Sequence, residues 1–450
     1  MTTPDAISAP VSPRPQSARP RAANGGAITG ERRWSDLAVI ALITGMVAGT
    51  ALVVLDAAAG RSGLVPPSPH IAAYLDGVGS RLDFPTFIYV LLTMSLCFAG
   101  LLALARRVRP RTLVAAIVIL HVIVFVGPVL LSQDIFSYVA YGRLGVVHGL
   151  NPFVHGPSAI PHDHIYRLVG IQWRHVPSAY GPLFTLISYP LTPLGIEGAM
   201  WGFKVLGTLA SLATVWLVWR SAQRLGRDPV LPAMVVGLNP VLVLYGVGGA
   251  HNDLIMVALM MLGVWLSLGV RDGWGAGAVV AAAAVKATAV AVLPFMLLGR
   301  RRSGVITGAL AAAVAVGLVS LVAFGVHSLD FVSVLRRQQS FVSFDSFPTE
   351  VTHLFGLPGV FPVDRLLLRG ALIGMVVYLL VAVWRGYDWV SGAAWAMLAI
   401  AVTTTWLLAW YTLWTLPLAA IARDRRVLVA TLGVQALFIV HQCTPLFSPL

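Results

Sequence analysis

Three places in this chain put polar chemistry where the surrounding residues are apolar. Asp134 follows a long apolar run directly, in "LSQDIFSYVAYGRLGVVHGLNPF" (131–153). His251, Asn252 and Asp253 close "GGAHND" (248–253), between two apolar segments. Lys286 lies inside "AAAAVKATAV" (281–290), a run of small apolar residues. A carboxylate can act as a general base when it is held near the proton it removes. A lysine presents a compact positive charge to an anion such as a phosphate. His251, Asn252 and Asp253 follow a Gly-Gly turn where a helix should begin, so they can cap that helix or meet a polar ligand at its positive end. Helix capping is the alternative reading for Asp134 as well.

Other segments could support such chemistry. "WRHVPSAYGPLF" (173–184) carries Trp173 and Tyr180 at interface depth. "LRRQQSFVSFDSFPTEVTHLFGLPG" (335–359) mixes Arg336 and Arg337 with Phe341, Phe344, Phe347 and Phe355, with Asp345 and Glu350 between them. It reads as an interfacial loop able to close over a lipid-linked ligand, or as an amphipathic cover helix. "TTTWLLAWYTLWTLPL" (403–418) gathers Trp406, Trp410, Tyr411 and Trp414, and helical spacing places Trp406 and Trp410 on one face. Such aromatic faces pack on sugar rings or prenyl chains, or form an interface belt. "HDH" (162–164) offers ligands to a metal, but its spacing matches no closed site, and Asp134, Asp253 and the loop acids are the other oxygen donors a divalent cation could use.

The elements that must position these residues follow from composition. The chain is 58% hydrophobic and 11% charged, with a mean hydropathy of +0.83. A soluble surface needs far more charge, and many runs approach the ~18–20 apolar residues that cross a bilayer. The fold expected is an all-α polytopic membrane protein. Residues 1–34, rich in Pro, Ala, Ser and Arg, read as a disordered cytoplasmic tail, with one transmembrane domain over 35–450. Basic residues favour cytoplasmic loops. With the N-terminus inside and 181–195 folded back as a re-entrant hairpin, inside regions hold 20 arginines and outside regions nine of the chain's 29. This arrangement predicts about 13 helices, the C-terminus outside, and two long extracytoplasmic loops, 132–199 and 326–364. Residues after Asp134 place Ile135, Tyr138, Val139, Gly142 and Val146 on one face, which predicts an interfacial helix. The net charge of +13 reads as this topology; no basic–aromatic interleaving of a nucleic-acid-binding kind is present, and the partners expected are membrane lipids and no nucleic acid. Cys97 and Cys443 sit in apolar runs and read as packing residues.

Taken together, "SQDIFSYVAYG", "GLNPFVHGP", "PSAYGPLF", "LNPVLVLYGVGGAHND" and the closing "WYTLWTLPLAA" resemble, in order, the membrane glycosyltransferases of the GT-C type. The likeness is greatest to the actinobacterial polyprenol-phosphate-mannose-dependent α-1,6-mannosyltransferases that build lipomannan cores. Where that family often has Asp before a Pro-Tyr turn, this chain has Asn151-Pro152-Phe153. The resemblance implies a plasma-membrane enzyme of the cell envelope with its site facing outside. It would move mannose from a polyprenyl-phosphate donor to a glycan or glycolipid acceptor, inverting the anomeric carbon. Asp134 would be the base. Lys286, with Arg336, Arg337 and His251, would meet the donor phosphate, and Asn252, Asp253, Tyr180, Trp410 and Tyr411 would line the substrate site. The resemblance implies no required cofactor and leaves a divalent metal open. Competing expectations are transfer of another sugar such as arabinose, or a transporter, which broken helices and a buried lysine also fit.

Overall fold

The computed structural model describes residues 25–59, 82–338, 341–343 and 346–442. Phe344, Asp345, Cys443 and most of the expected tail lie outside the described residues. Among the described residues all regular structure is helical. The first three helices are α1 (Gly25–Ala58), which begins within the segment read as a tail, α2 (Phe84–Ala103) and α3 (Pro110–Val126). Next come α4 (Asp134–Val146), α5 (Pro182–Leu191), α6 (Gly195–Arg224) and α7 (Val230–Gly237). The middle of the chain forms α8 (Asp253–Leu268), α9 (Asp272–Val285), α10 (Leu293–Gly299) and α11 (Arg302–Phe324). The remainder forms α12 (Phe331–Gln338), α13 (Phe347–Leu354), α14 (Pro362–Trp384), α15 (Trp389–Thr403), α16 (Leu416–Ile421) and α17 (Arg425–Gln442).

Among the described residues, five stretches are long and apolar enough to cross a bilayer: Trp34–Ala58, Pro85–Ala103, Pro182–Arg224, Arg302–Leu329 and Pro362–Trp384. A sixth arises if α7 and the π-helical turn Val241–Val247, bent by 48° about Pro240, are counted together. The chain is an all-α polytopic membrane protein. Pro182–Arg224 is not one straight rod. The rings of Phe184 and Phe203 are 5.6 Å apart, whereas a continuous helix would separate them by about 28 Å. The chain turns back at Gly195, whose φ of +76° suits glycine, and α5 lies against α6 as a short hairpin arm.

The centre is built by close approach of small residues. A Cβ on Gly263 of α8 would meet the Gly275 carbonyl of α9, and one on Gly308 of α11 would overlap Gly273 of α9. Backbones that approach this closely pack by van der Waals contact, which is how helices associate where lipid removes the hydrophobic drive. Around this centre, α4 departs from the sequence expectation. Instead of one buried face on the bilayer, Ile135 to Gly142 are all buried. Its polar groups are satisfied internally: Tyr141 Oη donates to the Val176 carbonyl (3.0 Å) and Tyr138 Oη to Asn252 Oδ1 (3.3 Å). α4 is therefore a core helix, and it places Asp134 at the heart of the molecule.

Candidate active site

Asp134 is the first residue of α4, after Gln133 at the cap position. Its carboxylate caps nothing. Ser132 Oγ accepts the Asp134 backbone N–H at 3.1 Å, so the capping role falls to Ser132. The carboxylate is 22% exposed, and Oδ2 lies 3.4 Å from Nδ1 of His251, which is fully buried. The imidazole stacks on Trp410 with centroids 3.7 Å apart and planes 22° from parallel. The turns that deliver these two residues are both strained. Leu131 has φ +59° and Ala250 φ +49°, left-handed values that L-residues adopt at a cost of about 1–2 kcal/mol each. The same turns are joined, because the Leu130 N–H donates to the Gly248 carbonyl at 2.8 Å.

Asp253, two residues past His251, opens α8 and is almost wholly buried. Its Oδ1 accepts from Lys286 Nζ at 2.7 Å and from Trp414 Nε1 at 2.5 Å. Lys286 also lies over the rings of Tyr411 (4.6 Å) and Trp414 (5.1 Å). The lysine interrupts the helix after α9 in an extended conformation. The Gly181 N–H donates to the Val285 carbonyl at 3.0 Å, and a side chain at Gly181 would collide with the Ala284 backbone. The returning segment before α5 thus braces the turn that carries Lys286.

Lys286 and Tyr411 face a cavity of about 400 Å³. Two further cations line it, Arg365 and Arg369, one turn apart on α14. Its other walls include Thr288, Thr403 to Trp406, Leu368, Leu372 and Ile400. The mouth is stiffened by an aromatic cluster in which Phe341 and Trp406 are 5.6 Å apart and Trp173 is 6.2 Å from Trp406. Residues 341–343 are held along 405–407, where the Ser343 N–H donates to the Thr405 carbonyl (2.8 Å) and Ser343 Oγ to the Leu407 carbonyl (2.8 Å).

The structure redistributes several of the residues named from sequence. Arg336 and Arg337 are exposed on α12, and only Leu335 of that helix lines the cavity. The positions expected of them fall to Arg365 and Arg369. His251, Asn252 and Trp410 are buried beneath the cavity rather than lining it, and Tyr180 packs edge-on against Tyr138 at 5.0 Å. Trp406 and Trp410 do not share a helix face, because α15 stops at Thr403 and the next helical turn starts at Ala409. Trp406 goes to the cavity and Trp410 to His251.

In "HDH" the acid is engaged by its own loop. Asp163 accepts both Arg143 Nε contacts at 2.9 Å and His148 Nε2 at 2.8 Å, and also caps the turn at Ile165. Among the described residues, no three His, Cys, Asp or Glu side chains converge. Burial alone would push the Asp163 carboxyl up, but hydrogen bonds from Arg143, His148 and the Ile165 N–H, with the Arg143 charge, hold it below the usual carboxylate range. Its contribution is therefore complete above the ordinary pKa of about 3.9 and is lost as pH falls through the lower folded value. Asp163→Asn is expected to lower the unfolding temperature at neutral pH, at a cost of about 3 kcal/mol, since Arg143 loses its anion. The variant should also lack Asp163's share of the acid-side loss of stability, leaving that of Asp83 and Asp424, whose carboxyls are likewise held low, and a pH series of thermal melts in detergent reads the difference.

Comparison with known proteins identifies the family. A family model described as "Alpha-(1->6)-mannopyranosyltransferase, N-terminal domain" matches residues 42–301. The chain belongs to this family. A second model, glycosyltransferase family 87, matches residues 179–449. Asp134 falls within the first match alone, Arg365, Arg369 and the aromatic segment 406–414 within the second alone, and His251 and Lys286 within both. Among similar proteins is alpha-(1->6)-mannopyranosyltransferase A of Mycobacterium tuberculosis, 31% identical over 349 residues, 69% of this chain and 66% of the relative. The A protein of Corynebacterium glutamicum is 31% identical over 190 residues, 42% of this chain and 38% of its own. The B protein of the same organism is 29% identical over 154 residues, 32% of this chain and 25% of its own. The chain thus spans just under two thirds of the first relative and well under half of the other two. No solved structure matches it.

Proposed function

We propose that this mannosyltransferase-family chain transfers mannose from a polyprenyl-phosphate donor to a hydroxyl of a glycan or glycolipid on the extracytoplasmic side, inverting the anomeric carbon and forming an α-1,6 linkage. The arginine distribution supports an N-terminus inside and a C-terminus outside, with about 13 helices, as the topology for this reading. The observation that carries it is the cavity in which three cations, Lys286, Arg365 and Arg369, share walls with leucines and tryptophans. A prenyl phosphate is an anion joined to an apolar chain, and this lining offers both counterparts.

In this reading the acceptor hydroxyl gives its proton to Asp134 and attacks the anomeric carbon, and the bond to the phosphate oxygen breaks. The departing phosphate gains negative charge as it leaves. Cations fixed in place before the reaction stabilise that charge without reorganising, which is why positioned groups accelerate such steps. Lys286 is oriented by Asp253 and by the two aromatic rings, so it is preorganised even though its charge is partly balanced. Arg365 and Arg369 add two further cations to the same wall.

The test is a purified-protein assay with mannosyl-labelled polyprenyl phosphate in lipid nanodiscs. Transfer of label to an α-1,6-mannan acceptor is expected from the wild type. Arg365→Ala and Arg369→Ala should each raise the donor KM roughly tenfold or more, the scale of one lost charged hydrogen bond. An unchanged donor KM in both variants would remove α14 from the phosphate site.

A further inference from the structure

We infer that His251 is the positioning residue of the Asp134 carboxylate: it holds one carboxylate oxygen so that the other faces the acceptor hydroxyl. The inference rests on the transfer reaction proposed above and assigns His251 a place that the sequence did not suggest. The sequence placed it among the donor-phosphate ligands. Neither His251 nor Asp134 lines the cavity, but the His251 side chain is sealed from solvent whereas the Asp134 carboxylate in front of it is 22% exposed, so a ligand can reach the carboxylate and not the imidazole.

The imidazole can make few other contacts. Neither ring nitrogen has a hydrogen-bond partner, and the polar atom facing Nδ1 is Asp134 Oδ2 at 3.4 Å. That distance is longer than a formed N–H···O bond, and contacts of this kind tighten when substrate fills the site. The ring cannot swing away. Trp410 lies flat against one face. On another side, a Cβ at Gly249 would sit 2.5 Å from Nε2 and 2.6 Å from Cδ2, so only glycine leaves room for the ring as placed. Backbone geometry serves the same contact. Leu131 and Ala250, two of the three left-handed non-glycine residues among the described residues (the third is Val270, in the α8–α9 turn), lie immediately ahead of the Ser132–Asp134 turn and of His251, and the Leu130–Gly248 hydrogen bond joins their turns. Strained turns persist where the surrounding structure over-determines them, and they cluster at functional sites. Here both strained turns converge on one interatomic distance.

The step balances as follows. The acceptor O–H proton moves to Asp134 Oδ1, and the new bond forms from acceptor oxygen to anomeric carbon. The anomeric carbon–phosphate oxygen bond breaks, and its electron pair leaves with the phosphate. His251 keeps its own proton on Nδ1 throughout and donates that N–H to Oδ2. Asp134 later returns its proton to water. His251 thus acts through Asp134 and does not touch the reacting atoms.

The geometry gives a test that a merely structural role would not pass. An asparagine amide falls where Nδ1 lies, and a glutamine amide where Nε2 lies. Full-length His251→Asn, His251→Gln and Gly249→Ala proteins are assayed in nanodiscs with mannosyl polyprenyl phosphate. His251→Asn should stay within about tenfold of the wild-type kcat, while His251→Gln falls about 10²-fold, the scale of a misplacement near 1 Å. Gly249→Ala, whose Cβ crowds the imidazole and also meets the Tyr245 carbonyl at 2.7 Å, should lose kcat too, and a thermal melt of the same preparation separates displacement of the ring from strain in the turn. Donor KM should be unchanged in all three. Equal kcat values for the Asn and Gln variants overturn the proposal, as does a Gly249→Ala protein with wild-type kcat, or a loss confined to KM. A wild-type chain that moves no mannose overturns the reaction and this proposal together, whereas an active wild type with matched Asn and Gln variants overturns this proposal alone.

Discussion

Asp134→Asn is expected to give a protein that inserts, folds and binds donor as the wild type does, yet transfers sugar about 10³-fold more slowly, within the range for removing a general base. The expectation depends on how little structural duty the carboxylate has. The start of α4 is held by Ser132, and among the described residues the ionisable side chain set against the Asp134 carboxylate is His251. Asparagine has the same shape, so packing against the buried tyrosines of α4 is kept. What disappears is the capacity to take a proton, equivalent to about 4 kcal/mol of barrier. Single-turnover rates with saturating donor, beside a thermal melt of the same preparation, separate chemistry from folding. Near-normal turnover by Asp134→Asn would falsify its assignment as base.

The second large effect belongs to Lys286, and it has two parts. Lys286→Met leaves the Asp253 carboxylate buried with Trp414 Nε1 as its remaining hydrogen-bond donor. Stranding one partner of a buried ion pair costs about 3–5 kcal/mol, so a large drop in melting temperature is expected. The same change removes a cation from the cavity and should weaken donor binding some 10–100-fold. The double variant Lys286→Met/Asp253→Asn distinguishes these contributions. Removing both charges should restore most of the stability while donor affinity stays low. If affinity returns along with the melting temperature, Lys286 serves the fold alone and has no part in holding phosphate.

Much of this site could be read in the chain before its structure was known, for a definite reason. A charge inside an apolar run is costly, so Asp134, Asp253 and Lys286 announce themselves. The helical class was equally legible from hydropathy, and the Pro-bounded run 181–195 marked the place where the chain turns back, at Gly195. Partnerships were less so. Nothing in the spacing of 248–253 says that His251 turns inward to Asp134 while Asp253 turns to Lys286, because that choice is made by α4, α9 and the 409–414 turn, all remote in sequence. Arg336 and Arg337 looked suited to a phosphate because they are adjacent cations in an aromatic loop, but α12 is amphipathic and shows them to its exposed face. Arg365 and Arg369 gave no such signal. They lie at the start of an ordinary apolar span, and only the packing of α14 beside α15 brings them to the cavity. The burial of α4 was hidden for the same reason, since the partners of its tyrosine hydroxyls, Asn252 and the Val176 carbonyl, come from other parts of the chain.

The Asp253–Lys286 contact also bears on how the chain enters the membrane. The two residues stand at the ends of α8 and α9 that lie together, in neighbouring helices joined by a short turn at Gly269–Arg271. Presented singly to the translocation machinery, each charge would oppose insertion by about 2.5–3.5 kcal/mol at mid-bilayer depth. Presented as one hairpin, they can meet as soon as both helices have left the ribosome, and they partition as a dipole instead of two ions. The pair that later holds the lysine at the cavity is in this way a passport for its own hairpin: α8 and α9 should insert as a unit, and α8 released alone should stall at the interface.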